Sequence, residues 1–275
     1  MDQEKQDVMK KAFAIVTGAG QGIGFAFAHA LAQRGHNVIM VSLPGEGLEE
    51  KASSLAKQFG VEVLYKETDL TITSNCHNFH QWVTENGHPV DILINNAGIG
   101  SAGPFENFSP AFYEKQVTLN VMVPVLLTRL FLPGLRKMDQ AYILNMASMG
   151  AFFNMPNKEV YSASKSFILS FSRSLQATLD GSSVSVSVIS PGPVDSNARL
   201  LEIHKNMKGI ARKAVMKPDE VADAALDAMF NGKKELVPGG INRMLLFLNR
   251  LLPSAIRQGI IRREMKRQED IGITH

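Results

Sequence analysis

Short apolar runs recur along the chain at 12–16, 37–42, 61–65, 90–94, 141–146 and 184–189. Each stops abruptly at small or polar residues: Thr17-Gly18, Ser42, Thr68-Asp69, Asn95, Ala147-Ser148 and Ser190-Pro191. Runs of this length, apolar on both faces, read as strands buried inside a parallel sheet. Between them lie stretches with apolar residues at helical spacing, over 25–34 ending at Gly35, 47–59 closed by Gly60, 73–85, 110–132 and 218–230. A last short strand falls at 235–237. Strict alternation of such elements predicts a doubly wound α/β domain, a Rossmann-like parallel sheet of about seven strands with helices on both faces and right-handed crossovers. Residues 1–275 read as one domain, with a polar lead-in over 1–11.

Ligands of such sheets bind beyond the carboxyl ends of the strands. Gly18, Ser42, Asp69 and Asn95 all fall at that edge, each from a different strand. The first strand runs into Thr17-Gly18-Ala19-Gly20-Gln21-Gly22-Ile23-Gly24 and then a helix. Glycines let a backbone approach a pyrophosphate, and a helix N-terminus supplies unpaired N–H groups and positive potential. A tight turn without a ligand is the competing account, but so many glycines cost conformational entropy. The spacing G-x-G-x-x-G is not met, because Ile23 stands where its third glycine would be; the pattern is Gly18-x-x-x-Gly22-x-Gly24.

Tyr161 and Lys165 are four residues apart, so in a helix they share one face. An ammonium roughly 4 Å from a phenol favours the phenolate by about 4 kcal/mol at an effective dielectric near 20, up to about three pKa units. Such a pair is a tuned proton-transfer device or, on its own, only a surface Tyr and Lys. Asn120, inside an apolar helix, is a satisfied core amide or a site residue, and Ser148 a turn residue or a site hydroxyl.

Together these residues resemble the compact, single-domain short-chain dehydrogenase/reductase family. The motifs are Thr17-Gly18-x-x-x-Gly22-x-Gly24, Asn95-Asn96-Ala97-Gly98, Asn120, Ser148, Tyr161-x-x-x-Lys165 and Pro191-Gly192, in the family's order and spacing over residues 12 to about 240. The resemblance implies NAD(P)-dependent hydride transfer between nicotinamide and a carbonyl or secondary alcohol. It implies Tyr161 as general acid/base, Lys165 as the lysine that lowers the tyrosine pKa and bonds the nicotinamide ribose, Ser148 as the hydroxyl polarising the carbonyl, and Asn120 as holder of a relay water. It implies cofactor contacts from Gly18, Gly20, Gln21, Gly22, Ile23, Gly24, Ser42, Asp69, Leu70, Asn96, Ala97, Gly98, Pro191, Gly192, Val194 and Ser196, besides Tyr161 and Lys165. Asn95 corresponds to a position that lines the cofactor and fixes the central strand. The positions that choose between NAD and NADP are Ser42 and Leu43, neither acid nor base, and Gln21 replaces a basic residue. Lacking a carboxylate to repel a 2′-phosphate, the end of the second strand leans toward NADP over NAD. Pro44-Gly45-Glu46 adds an acid nearby, and whether Glu46 turns away stays open.

Composition changes this picture little. The 275 residues are 45% apolar and 20% charged, ordinary for a globular protein. The net charge of +3 makes no case for nucleic acid. The single cysteine, Cys76, excludes an intramolecular disulfide, and no metal site is expected. The N-terminus lacks the apolar core of a signal peptide and no uninterrupted apolar run matches a membrane span, so a cytoplasmic location is expected.

Residues 196–217 fall where the family's substrate lid lies, mixing Leu200, Leu201, Ile203, Met207 and Ile210 with Lys205, Lys208, Arg212 and Lys213. They suit an apolar substrate, an anionic one, or simply an amphipathic helix pair. The C-terminal helical extension over 241–275 carries an apolar stripe from Met244 to Leu252 amid Arg243, Arg250, Arg257, Arg262, Arg263, Lys266 and Arg267. A membrane surface, a pocket cover and a subunit contact all suit it, and burial within the protein is the expectation. The family pairs through its long helices, which implies a homodimer or homotetramer. The rival functions are an isomerase or lyase on the same fold and a nucleotide-binding scaffold without turnover; the intact Asn120, Ser148, Tyr161 and Lys165 argue against the scaffold.

Overall fold

The computed structural model describes residues 11–251 and Gly259; the lead-in at 1–10 and the tail beyond 251 otherwise lie outside the described residues. Seven parallel strands stand in the order β3-β2-β1-β4-β5-β6-β7: β1 (Phe13–Thr17), β2 (Asn37–Ser42), β3 (Val63–Glu67), β4 (Val90–Asn95), β5 (Ala141–Met146), β6 (Val184–Ile189) and β7 (Glu235–Leu236). The order reverses between β1 and β4, which opens a crevice at their carboxyl ends.

Side-chain alternation divides the core in two. Ala14, Val16, Val38, Met40, Ile92, Ile94 and Leu144 face α1 (Gly22–Gln33), α2 (Leu48–Phe59) and α9 (Pro218–Phe230). Ile15, Ile39, Val41, Leu93, Ile143 and Val186 face α3 (Thr73–Glu85) and α5 (Val123–Leu135). Because both faces are covered, the inner strands are mainly apolar, and their polar members, such as Ser187, Asn95 and Asn145, are themselves buried. Phe27 on α1 is fully buried, and truncation there to alanine would cost about 3–5 kcal/mol.

The predicted elements are all present, with shifted ends. The first helix begins at Gly22 rather than residue 25, so the last two glycines of the turn lie inside its first turn. The third strand runs Val63–Glu67 rather than 61–65, because it is an edge strand whose register is set by pairing Val38 with Val63. Gly60 closes α2 in the left-handed conformation, as expected.

The long helix is in three parts: α4 (Pro110–Val117), a π-helical turn (Thr118–Met122) and α5. By length and composition Pro110–Leu135 is apolar enough to cross a membrane, but Glu114, Lys115 and Arg129 interrupt it, so it is not the uninterrupted apolar run whose absence was expected. Here Val123, Leu127, Phe131 and Leu135 are buried against the sheet. The remaining helices are α6 (Glu159–Thr178), α7 (Ala198–Lys205), α8 (Gly209–Lys213) and α10 (Gly240–Leu251).

Candidate active site

The turn after β1 is shaped by close approaches. A Cβ on Gly24 would collide with the carbonyl of Gly18, and one on Gly22, whose φ is +54°, would stand 2.5 Å from the Ser196 carbonyl oxygen. These two glycines therefore serve the protein's own packing as well as any ligand. Gln21, the N-cap of α1, makes no side-chain cap bond, and no acidic residue occupies the first turn. The N–H groups of that turn have no intrahelical acceptor, which fits an anionic pyrophosphate.

Thr17 organises the neighbouring loop. Its Oγ1 accepts from the N–H groups of Asn96 and Ala97, both at 3.0 Å, while Asn96 Nδ2 donates to the Thr17 carbonyl at 2.9 Å. Deeper, Asn95 Nδ2 donates to Asn145 Oδ1 at 2.8 Å, and Asn145 Nδ2 donates to Ser172 Oγ at 2.9 Å. This buried polar chain ties β4, β5 and α6 together. The central-strand role expected of Asn95 thus depends on Asn145 and Ser172, two polar residues among apolar neighbours that sequence reading passed over.

Asn120 lies in the π-helical turn and is 1% exposed. Its Oδ1 accepts from Ile99 N–H at 2.9 Å, and its Nδ2 donates to the Ile99 carbonyl at 2.9 Å and to Ser164 Oγ at 3.1 Å. The amide is satisfied and also sits in the site: a Cβ on Gly98 would be 3.0 Å from Asn120 Oδ1 and 3.3 Å from Lys165 Nζ. The core-amide reading is met, the position beside Lys165 is compatible with the other, and a local π turn is a frequent mark of function.

Ser148, just after β5, accepts from Gly150 N–H at 3.0 Å and hydrogen-bonds the Tyr161 phenol. Burial raises the Tyr161 pKa above its ordinary value, and the Ser148 bond opposes that rise. Lys165, buried, donates to the Met146 carbonyl at 2.8 Å, and burial lowers its pKa to about 8. The expectation that the ammonium drags the phenol into the neutral range is therefore not met. Desolvation dominates the phenol, and the lysine is turned to a backbone carbonyl on β5.

Asp69 accepts from Thr71 N–H at 2.9 Å and Thr71 Oγ1 at 2.7 Å. Partial burial pushes its pKa up, but the Thr71 bonds and Lys115 outweigh that and hold it below the usual value. Leu70 beside it is buried core. Ser42 is also buried, and its hydroxyl bonds the Glu46 carboxylate. Glu46 does not turn away: a Cβ on Gly20 would collide with it. The acid noted in Pro44-Gly45-Glu46, whose direction was open, therefore puts a carboxylate at the end of β2, four residues after Ser42. Lys51 Nζ donates to the Gly20 carbonyl at 2.6 Å and the Glu46 carbonyl at 2.5 Å, placing a cation that sequence reading also missed.

On the other side of the crevice, Met149 N–H donates to the Pro191 carbonyl at 2.8 Å, and a Cβ on Gly192 would stand 2.5 Å from Asn242 Oδ1. Val194 pairs with Met216, closing the segment 196–217 back onto the strand end. Within it His204 is 5% exposed, with Nδ1 2.6 Å from Asp195 Oδ1, and Arg212 stands 3.5 Å from Asp195 Oδ2. Neither Asp195 nor His204 was singled out from sequence, where Val194, Ser196 and the segment 196–217 marked the place. No group of three or more His, Cys, Asp or Glu suited to a metal occurs among the described residues.

A family model described as short chain dehydrogenase matches residues 12–206. The ketoacyl reductase HetN of a Nostoc species is 27% identical over 267 residues, 93% of this chain and 92% of that protein. The 1-deoxy-11-beta-hydroxypentalenate dehydrogenase of Streptomyces avermitilis is 32% identical over 240 residues, 86% of this chain and 84% of the relative. Among solved structures, a short-chain dehydrogenase from Sphingobium yanoikuyae in complex with NADPH aligns with a TM-score of 0.74 and 27% identity, over 91% of this chain and 95% of the other.

Proposed function

The chain belongs to the short-chain dehydrogenase/reductase family and is an NAD(P)-dependent oxidoreductase of carbonyl and alcohol groups; from that premise we propose that it reduces the carbonyl of an apolar small molecule, with Tyr161 as the proton donor. The observation that carries this reading is geometric: the Tyr161 phenol is partly buried and hydrogen-bonded to Ser148 at the carboxyl end of β5, with Lys165 one turn further along α6. A phenol is protonated at neutral pH, the state a proton donor needs, and the Ser148 hydroxyl beside it marks where a carbonyl oxygen could meet both groups.

A bound nicotinamide supplies the hydride; the chain's own residues orient the carbonyl and handle the proton. Ser148 orients the carbonyl oxygen and stabilises the charge that develops there. Tyr161 gives that oxygen its proton. Lys165, cationic below about pH 8 and held by the Met146 carbonyl, by the family pattern bonds the nicotinamide ribose. Asn120 holds the loop at Ile99 and the π-helical turn in register, and a water beside it would reload the phenol. The glycine turn and the N-terminus of α1 hold the pyrophosphate, with Ser42, Asp69, Asn96 and Ala97 around the adenosine half and Pro191, Gly192, Val194 and Ser196 around the nicotinamide.

The lean toward NADP rested on a missing carboxylate, and Glu46 removes that ground; Glu46 and Lys51 together set the choice, and either dinucleotide is accepted. Residues 196–217 close over an apolar substrate, consistent with the relatives' names. Residues 1–275 act as one domain in the cytoplasm. The exposed Val117, Met122 and Phe167 on the long helices support pairing into a dimer or tetramer. The test is a panel of ketones and 3-oxoacyl thioesters with NADH and with NADPH, read by loss of reduced-nicotinamide absorbance. Turnover on apolar ketones supports the reading; activity confined to cofactor-independent isomerisation contradicts it.

A further inference from the structure

α10 is fixed by its inner side. Asn242, 1% exposed, donates to the Ala214 carbonyl at 3.1 Å and the Pro238 carbonyl at 3.2 Å, and Leu246 is buried beside it. The expectation of burial is met on that side only. Met244, Phe247, Leu248 and Leu251 are 46%, 61%, 48% and 66% exposed. At 3.6 residues per turn these four fall within an arc of about 100°. Arg243, exposed, borders the stripe.

The charge around this stripe is uneven. Residues 198–217 and 240–251 hold eight Lys and Arg against one Glu, a net +7, which leaves −4 for the rest of a chain whose total is +3. In the first of those segments Lys205, Lys208, Arg212 and Lys213 are exposed, together with Leu201 and Ile210. The Asn242–Ala214 hydrogen bond joins that segment directly to α10.

We infer that α10 and the segment 198–217 form one docking surface for an anionic lipid membrane, α10 lying in the plane of the interface. A helix with an exposed apolar stripe bordered by cations inserts that stripe at the headgroup boundary. Each basic residue near an anionic bilayer adds about 1 kcal/mol of attraction. A second copy of this chain fits poorly, because a symmetric contact would set one strongly cationic face against another. Nucleic acid accounts for the cations but leaves the four apolar side chains without a partner.

The test is flotation of the full-length protein with vesicles of phosphatidylcholine alone and of phosphatidylcholine mixed with phosphatidylglycerol. The inference requires at least tenfold tighter binding to the anionic vesicles at about 0.1 M salt, lost at about 1 M, where the Debye length falls to about 3 Å. The double variant Leu248→Asp/Leu251→Asp should weaken that binding at least tenfold with an unchanged circular-dichroism melt. Should it not fold, Leu251→Ser should weaken binding severalfold. Equal binding to neutral vesicles, or no binding, overturns the inference. So does a variant that changes the particle size in light scattering but not vesicle affinity, which would identify a subunit contact. Displacement of the protein from vesicles by a duplex oligonucleotide, with unaltered affinity of the leucine variants, overturns it in favour of nucleic acid.

Discussion

Replacing Glu46 with glutamine isolates one charge at the end of β2. The carboxylate sits against Ser42 and Gly20, where the acid that recognises a ribose 2′-hydroxyl stands in dinucleotide folds. Glu46→Gln is expected to shift the ratio of NADPH to NADH affinity about tenfold toward NADPH, about 1.4 kcal/mol, by nicotinamide-fluorescence titration. An unchanged ratio would remove Glu46 from cofactor choice. Lys165 gives the second residue-scale test. With its pKa lowered to about 8 by burial, it is cationic below that pH and neutral above. kcat/KM for carbonyl reduction should therefore fall as pH rises through about 8, and Lys165→Met should be slow with no such limb. A wild-type profile flat to pH 10 would separate Lys165 from the proton transfer. The sequence showed Glu46 as a nearby acid but not its direction, and it did not show Lys51 at all: their approach to Gly20 is made only when α2 packs beside the turn.

At the scale of elements, legibility followed burial. The runs Asn37–Ser42 and Ala141–Met146 were readable to the residue because sheet interiors favour apolar side chains on both faces, and Val184–Ile189 because its valines recur at every second position before Ser190-Pro191 ends it. The edge strand Val63–Glu67 was misplaced by two residues because half its side chains escape that demand. The π-helical turn at Thr118–Met122 leaves no trace in periodicity, yet it carries Asn120. The segment 196–217 was placed by likeness alone, and its fastening, the buried Asp195–His204 pair, emerges only from contacts. Removing one member of such a pair leaves the other without compensation. His204→Leu is expected to raise KM for the substrate roughly tenfold while leaving the dinucleotide Kd within about twofold. Equal losses in both would mean that the pair supports the whole domain rather than that segment.

For the molecule as a whole, the glycine turn, the crevice between β1 and β4, and the convergence of Asn120, Ser148, Tyr161 and Lys165 were all legible, because each depends on spacing and topology. Ionisation was not, since desolvation belongs to the assembled fold. Asp91, half-buried with an unpartnered Oδ1, has its pKa raised by burial to about 6. A carboxyl whose folded pKa exceeds its unfolded value loses stability as pH rises between the two. Asp91→Asn should accordingly stabilise the protein at pH 7 by about 1 kcal/mol, allowing for partial solvent screening. That gain should vanish as pH falls from 6 toward 4, and a gain independent of pH in thermal melts would point to packing instead.

The account as a whole stands on Tyr161 as the proton donor. Its most direct measurement is a comparison of wild type with Tyr161→Phe on one identified ketone, following reduced-nicotinamide consumption and, separately, nicotinamide affinity by fluorescence. Loss of the phenol proton should lower kcat at least a hundredfold, the usual worth of a positioned general acid, while cofactor Kd changes less than about threefold. A phenylalanine variant that turns over at the wild-type rate would contradict the central assignment.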